Sequence, residues 1–150
     1  MTDNQHIRMT RQRKVILEEL CKVCNHPTAD QVYEMVRKRL PHISLATVYR
    51  NLEILSGIGS IMKLEFAGAQ RRYDGNAAPH YHARCQGCDK VVDAHMPPID
   101  VPQVPESLNG FFITGHQFEF TGYCEDCRKA MADSEKSRDS FHKTGASLPH

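Results

Sequence analysis

No apolar run in this 150-residue sequence approaches the ~18–20 residues that a membrane-spanning helix requires. The opening stretch, Met1-Thr2-Asp3-Asn4-Gln5-His6, lacks the apolar core of a secretory leader. Both absences point to a cytoplasmic protein with no membrane association. Its six cysteines are then expected as thiols or metal ligands rather than disulfides. Internal repeats are lacking apart from a recurring C-x-x-C, and no βαβ pattern surrounds those pairs, which argues against a thioredoxin-like role. No acid/base or nucleophilic pair with a substrate pocket is recognisable, so the sequence reads as a non-enzyme.

What is present is ordinary for a globular chain: 40% hydrophobic and 25% charged residues, which excludes wholesale disorder. The length allows one medium domain or two small ones of roughly 75 residues, whose thin cores would need support from metal or oligomerisation. The net charge of +1 conceals an asymmetry. Residues 1–72 carry 12 basic and 7 acidic side chains, whereas residues 73–150 carry 7 and 11. A basic first half beside an acidic second half fits a nucleic-acid-binding module joined to one that holds cations; uneven sampling of charges is the alternative.

The first half is helical in pattern. Thr10 can cap a helix reaching about Cys24, with Val15, Leu17, Leu20, Cys21 and Cys24 on its apolar stripe. Cys21 and Cys24 are expected there as small buried side chains. Thr28 and Gln31 have capping-box spacing, opening a helix that buries Val32, Met35 or Val36, and Leu40 before Pro41. Ser44 caps a third helix, with Leu45, Val48, Leu52 and Leu55 on one face. Its other face presents Thr47, Tyr49, Arg50 and Asn51, either a solvated surface or a set of hydrogen-bonding groups facing DNA. Arg11, Arg13 and Lys14 are candidate phosphate contacts. A strand at 61–66 and a turn leading to Arg71-Arg72-Tyr73 complete the order of a winged helix.

The second half changes character. Residues 74–79 read as a hinge, and short strands are expected at 80–85, 90–95, 111–114 and 117–123. Prolines at 97, 98, 102 and 105 leave room only for a short helix near Glu106-Ser107-Leu108. The expected organisation is a DNA-binding domain over 1–73, a hinge, a dimerisation and metal-binding domain over 80–131, and a flexible tail over 132–150. The fold class is α+β: an N-terminal winged helix followed by a small α/β domain.

Two clusters carry chemistry. Cys85, Cys88, Cys124 and Cys127 supply the four soft ligands of a tetrahedral structural zinc, Gly87 letting the first knuckle turn backbone amides toward sulfur. Asp74, His80, His82, Asp93 and His95 form a harder set, and imidazole with carboxylate favours Fe2+, Mn2+ or Zn2+ over copper. By spacing alone this set is either surface or metal site. His6, His42, His116, His142 and His150 read as solvated.

Several stretches resemble the ferric-uptake-regulator family of repressors: R-M-T-x-Q-R at 8–13, H-P-T-A-D at 26–30, S-x-A-T-V-Y-R-N-L at 44–52, R-Y-D at 72–74, H-Y-H-A-R-C-x-x-C at 80–88 and the late C-x-x-C. The ligand pattern is most similar to the peroxide-sensing branch. The resemblance implies a homodimer bound to a double-stranded DNA operator, with Ser44, Thr47, Tyr49, Arg50 and Asn51 at the DNA. It implies a regulatory Fe2+ or Mn2+ held by His26, Asp74, His80, His82 and Asp93, beside the structural Zn2+. It further implies that His26 or His80 is oxidised when peroxide meets the ferrous form. An iron- or manganese-responsive repressor without that chemistry is the alternative on the same fold. A metal-dependent enzyme and a zinc protein that only binds partners are readings of other classes.

Overall fold

Thr10 stops one strand of irregular chain and starts the first helix, because its hydroxyl accepts the backbone N–H of Arg13 at 3.3 Å. The computed structural model describes residues 7–142, and side chains as far as 138. It divides into two units, Met1–His80 and Tyr81–His150.

In the first unit, helix α1 spans Arg11–Cys21, α2 spans Ala29–Val36 and α3 spans Leu45–Gly57. The capping box forms as its spacing predicts: Thr28 Oγ1 accepts from Gln31 N, and Gln31 Oε1 accepts from Thr28 N at 2.9 Å. Ser44 caps α3 through Thr47 N at 3.1 Å. Ile16, Leu20, Val32, Val36, Val48, Leu52 and Leu55 are fully buried where the three helices meet. Strands β1 (Met62–Leu64) and β2 (Arg72–Asp74) pair antiparallel and complete the winged-helix order. Tyr73 on β2 is buried in the helical core, and its hydroxyl donates to Glu53 of α3 at 3.2 Å, tying the wing to the helices.

Three features of this unit differ from the sequence expectation. Helix α1 ends at Cys21 rather than about Cys24, with Lys22 as its C-cap and the Lys22 N–H bonded back to Glu19 O and Leu20 O. Cys21 and Cys24 are consequently exposed, not buried. Residues 74–79, expected as a hinge, group with the first unit: Asp74 pairs with Met62, and Gly75 packs on Cys21.

In the second unit β3 (Tyr81–Cys85) lies between β4 (Val91–Ala94), antiparallel, and β7 (Phe120–Gly122), parallel. The expected short helix near residue 106 is instead a hairpin of β5 (Ser107–Leu108) and β6 (Phe111–Phe112). Asn109 and Gly110, both at positive φ (50° and 79°), form its two-residue turn, the geometry that matches strand twist. Helix α4 runs Glu125–His142, through the first part of the segment expected as a flexible tail. Residues such as Ala, Met, Glu, Lys and Arg favour a helix without any apolar stripe, and Lys129 pairs with Glu125 at 2.7 Å one turn away. Residues 143–150 of that expected tail lie outside the described residues.

Candidate metal centres and DNA-facing helix

The parallel register of β3 and β7 aligns Cys85 with Gly122, which brings Cys124 alongside. Cys88 lies in the turn after β3, and Cys127 in the first turn of α4. The four sulfurs all lie within 4.8 Å of one another. Cys88 Sγ and Cys124 Sγ are 3.8 Å apart. A tetrahedron with zinc–sulfur bonds of about 2.3 Å has edges of about 3.8 Å, so this spacing fits. Cys85 Sγ accepts the backbone N–H groups of Cys124 (3.2 Å) and Gly87 (3.4 Å). Those amides, Cys124 foremost, hold the Cys85 thiol down at about 6. The neighbouring sulfurs, again Cys124 first, push Cys127 up to about 12. Four thiolates this close require a dication, and the quartet suits a structural zinc ion. A Cβ on Gly87 would stand 2.8 Å from Cys127 Sγ, so any side chain there forces the knuckle or Cys127 to shift.

The harder donors are arranged within each unit. In the first, Asp74 ends β2 with Oδ1 accepting from Asn76 N at 2.8 Å, which aims Oδ2 at two imidazoles. His80 Nε2 is 2.9 Å from Oδ2 and His26 Nε2 is 3.3 Å from it. His80 Nδ1 donates to Ala78 O at 2.7 Å. That bond fixes the tautomer, so in neutral His80 an Nε2 lone pair faces a carboxylate oxygen. The pair is favourable only with a cation between them, a proton or a metal ion. His26 is 2% exposed and sits at φ +50°, a conformation uncommon outside glycine. Its carbonyl accepts from Arg72 at 3.0 Å, and the adjacent Pro27 carbonyl accepts from Tyr73 N at 2.9 Å. Strand β2 thus holds the bend that presents His26. In the second unit, His82 on β3 and Asp93 on β4 are register partners, with Nε2 and Oδ1 3.5 Å apart. Nitrogen and oxygen donors without thiolate suit Fe2+ or Mn2+. His95 and His116 are exposed; His116 packs edge-on against Phe118.

Arg72, Asn76 and the Ala78 carbonyl went unnoticed in the sequence, although Arg72 belongs to the R-Y-D stretch. Their roles depend on backbone atoms brought close by folding, which spacing does not reveal.

On α3, Tyr49 and Arg50 are exposed, and Tyr49 Oη donates to Asp30 at 3.1 Å. Thr47 is half-buried and its hydroxyl shares a 2.8 Å hydrogen bond with exposed Ser44. Asn51 departs from the expected surface: it is 4% exposed, donates to Thr47 O at 3.0 Å and accepts from Arg13 Nε at 3.1 Å. Arg13 also donates to Arg8 O at 2.6 Å, so it spans α1 and α3 rather than standing free. Packing of the two helices, not the face of α3 alone, decides both positions. Arg11 and Lys14 are exposed.

Residues 4–121 match the model of the ferric uptake regulator family. The chain is 40% identical over 124 residues to the peroxide operon regulator of Bacillus subtilis (strain 168), covering 82% of this chain and 86% of that protein. It is 38% identical over 126 residues to the peroxide-responsive repressor PerR of Staphylococcus saprophyticus subsp. saprophyticus, covering 83% and 85%. Among solved structures, the Campylobacter jejuni peroxide stress regulator aligns with a TM-score of 0.58 at 26% identity, over 77% of this chain and 88% of that one. A winged helix followed by a zinc-knuckle sheet, matched along most of its length, makes this chain a member of the ferric uptake regulator family.

Proposed function

We propose that this protein is a cytoplasmic, homodimeric transcriptional repressor that binds a double-stranded DNA operator when its regulatory metal is bound, and that it senses hydrogen peroxide. The observation that carries this reading is the His80–Asp74 pair, with Nδ1 of the histidine committed to Ala78 O and Nε2 aimed at the carboxylate. The names of the relatives described above support the same direction.

In this reading His26, Asp74 and His80 of the first unit hold one ion together with His82 and Asp93 of the second. Only Tyr81 separates His80 from His82, so the peptide itself joins the two donor sets. An ion bound to both sets restrains the DNA-binding unit relative to the second unit. In a dimer that restraint sets the spacing of the two α3 helices, and metal affinity becomes DNA affinity; a coupling of ~1–3 kcal/mol is roughly 5–150-fold. Exposed Phe111 and Phe112 on β6 support a dimer contact on the second unit. Tyr49 and Arg50 contact bases or phosphates from α3, and Arg11 and Lys14 contact phosphates.

Ferrous ion, if held by these residues, would supply the redox chemistry that activates a bound peroxide. Overall one peroxide oxygen would be added to the imidazole ring of His26 or His80, the ring giving up two electrons, and the other oxygen would leave as water. A ring so oxidised is a poor ligand, the restraint is lost and repression ends. Peptide mass mapping after brief peroxide exposure tests this: one added oxygen on the His26 or His80 peptide, with iron and not with manganese. No histidine oxidation in either form would leave an iron- or manganese-responsive repressor, a reading favoured by nitrogen and oxygen donors, which also suit Mn2+.

A further inference from the structure

Cys21 and Cys24 take no part in either metal cluster, yet both thiols are exposed and three residues apart across the end of α1. Lys22 N reaches Glu19 O (3.3 Å) and Val23 N reaches Leu20 O (3.4 Å), so the turn continues in loosened form past the helix end. A disulfide needs Cβ atoms roughly 3.5–4.5 Å apart, and Cys24, beyond the end of α1, is not held away from Cys21 by helix geometry. The segment that must move, residues 22–24, lies outside the helix.

Cys21 is also in contact with the segment that carries Asp74. Its Sγ is 3.7 Å from Gly75 O, as a weak S–H donor. A Cβ on Gly75 would lie 3.0 Å from Cys21 N, 3.0 Å from its Cα and 3.1 Å from its Sγ. Gly75 therefore rests directly on the backbone of Cys21, one residue from the carboxylate that faces His26 and His80. This contact is a route by which a shift at one can reach the other.

We propose that Cys21 and Cys24 form an oxidisable dithiol whose disulfide weakens metal binding at Asp74; the coupling to metal rests on the regulatory-site reading above. The oxidant is a hydroperoxide. The Cys21 thiolate attacks one peroxide oxygen, the O–O bond breaks, and Cys21 becomes a sulfenic acid while hydroxide departs and takes up a proton. The Cys24 thiol then attacks the Cys21 sulfur, the S–O bond breaks, and a second water leaves. Two thiols lose two electrons and one peroxide becomes two waters. Accessible thiols beside a resolving partner are the sites where this chemistry concentrates. Closure removes the S–H donor to Gly75 O and draws the end of α1 toward Cys24.

The test uses the full chain with zinc in place and Mn2+ as the regulatory metal, so that iron chemistry plays no part. After graded hydrogen peroxide, free thiols are alkylated and the unreduced digest is mass-mapped. The expected result is a disulfide linking the peptides on either side of Lys22, formed at doses that leave Cys85, Cys88, Cys124 and Cys127 intact. Mn2+ affinity should fall at least about tenfold, as for loss of a supporting contact, and recover with dithiothreitol. Cys24→Ser should give no internal disulfide and instead a dimedone adduct at Cys21. Full alkylation of Cys21 and Cys24 at those doses overturns the dithiol. A disulfide with unchanged Mn2+ affinity overturns the coupling. Failure of the reduced protein to bind Mn2+ at all would overturn the regulatory-site reading and the coupling with it, while the mapped disulfide decides the dithiol by itself.

Discussion

His80 and Asp74 face each other at 2.9 Å, the imidazole held from behind by the Ala78 carbonyl at 2.7 Å and the carboxylate by the Asn76 amide at 2.8 Å. Each side chain has one polar atom fixed by backbone and the other turned inward. Donors oriented in this way pay little entropy on metal binding, so removing either is costly. His80→Ala and Asp74→Asn should each weaken Mn2+ binding at least about tenfold, and abolish the metal dependence of operator binding. Calorimetric titration of Mn2+ into the two variants checks this; a dissociation constant equal to wild type would remove the pair from the site.

The wing supports that geometry through Tyr73, whose burial, aided by Glu53, pushes its hydroxyl up to about 12. The folded value lies above the ordinary value near 10, so the protonated phenol favours the folded state. Its contribution is complete below pH ~10 and is lost as pH rises from there through about 12. Tyr73→Phe deletes the hydrogen bond to Glu53, costing about 1–2 kcal/mol at neutral pH. Glu53 keeps its Lys63 partner at 3.1 Å, which bounds the loss. Thermal unfolding of wild type and variant should differ at pH 8, and the difference should shrink above pH ~10 and vanish as pH approaches about 12.

Asn51 and Arg50 are neighbours on α3 with opposite environments, one buried against Arg13 and the other exposed. Asn51→Ala leaves the Arg13 guanidinium short of an acceptor and removes the bond to Thr47 O, a destabilisation of about 1–3 kcal/mol. Arg50→Ala touches no such bond and should leave the melting temperature within a degree or two, while weakening operator binding and lowering its salt dependence by about one unit of slope. Melting curves beside a salt series of operator titrations separate the two. An Arg50→Ala protein with wild-type operator affinity would take Arg50 out of the interface.

What was legible in the sequence was local. Thr10, Thr28 with Gln31, and Ser44 cap their helices because a cap involves only three or four consecutive residues. The C-x-x-C pairs announced their quartet because two short knuckles fix four sulfurs. Asn51 was misplaced because its burial is set by Arg13, 38 residues away. Cys21 is the last residue of α1 and Cys24 lies beyond it, so the apolar spacing runs one turn past the helix. The Asn109-Gly110 pair favours positive φ at both positions, and that turn, rather than the prolines around it, decides the hairpin. His26 shows how far spacing reaches: nothing within its own segment joins it to His80, and only folding brings both to Asp74.

The zinc quartet offers a sharper test than deleting a cysteine, because Gly87 contributes no ligand. Its Cβ position lies 2.8 Å from Cys127 Sγ and 3.0 Å from Cys127 Cβ, so Gly87→Ala must displace either the knuckle or the first turn of α4. Either shift changes the separation between Cys127 and the sulfurs of the knuckle, Cys85 and Cys88. The variant should lose zinc to a chelator at least tenfold faster than wild type and unfold at a lower temperature. Gly122→Ala is the matched control, since a Cβ there meets nothing within 4 Å. Zinc content after a timed chelator challenge distinguishes them: retention by Gly122→Ala with loss from Gly87→Ala places the effect at the knuckle. Equal retention by both would mean that the sulfurs are held apart from the Gly87 turn, and that zinc binding does not require the close approach of Gly87 to Cys127.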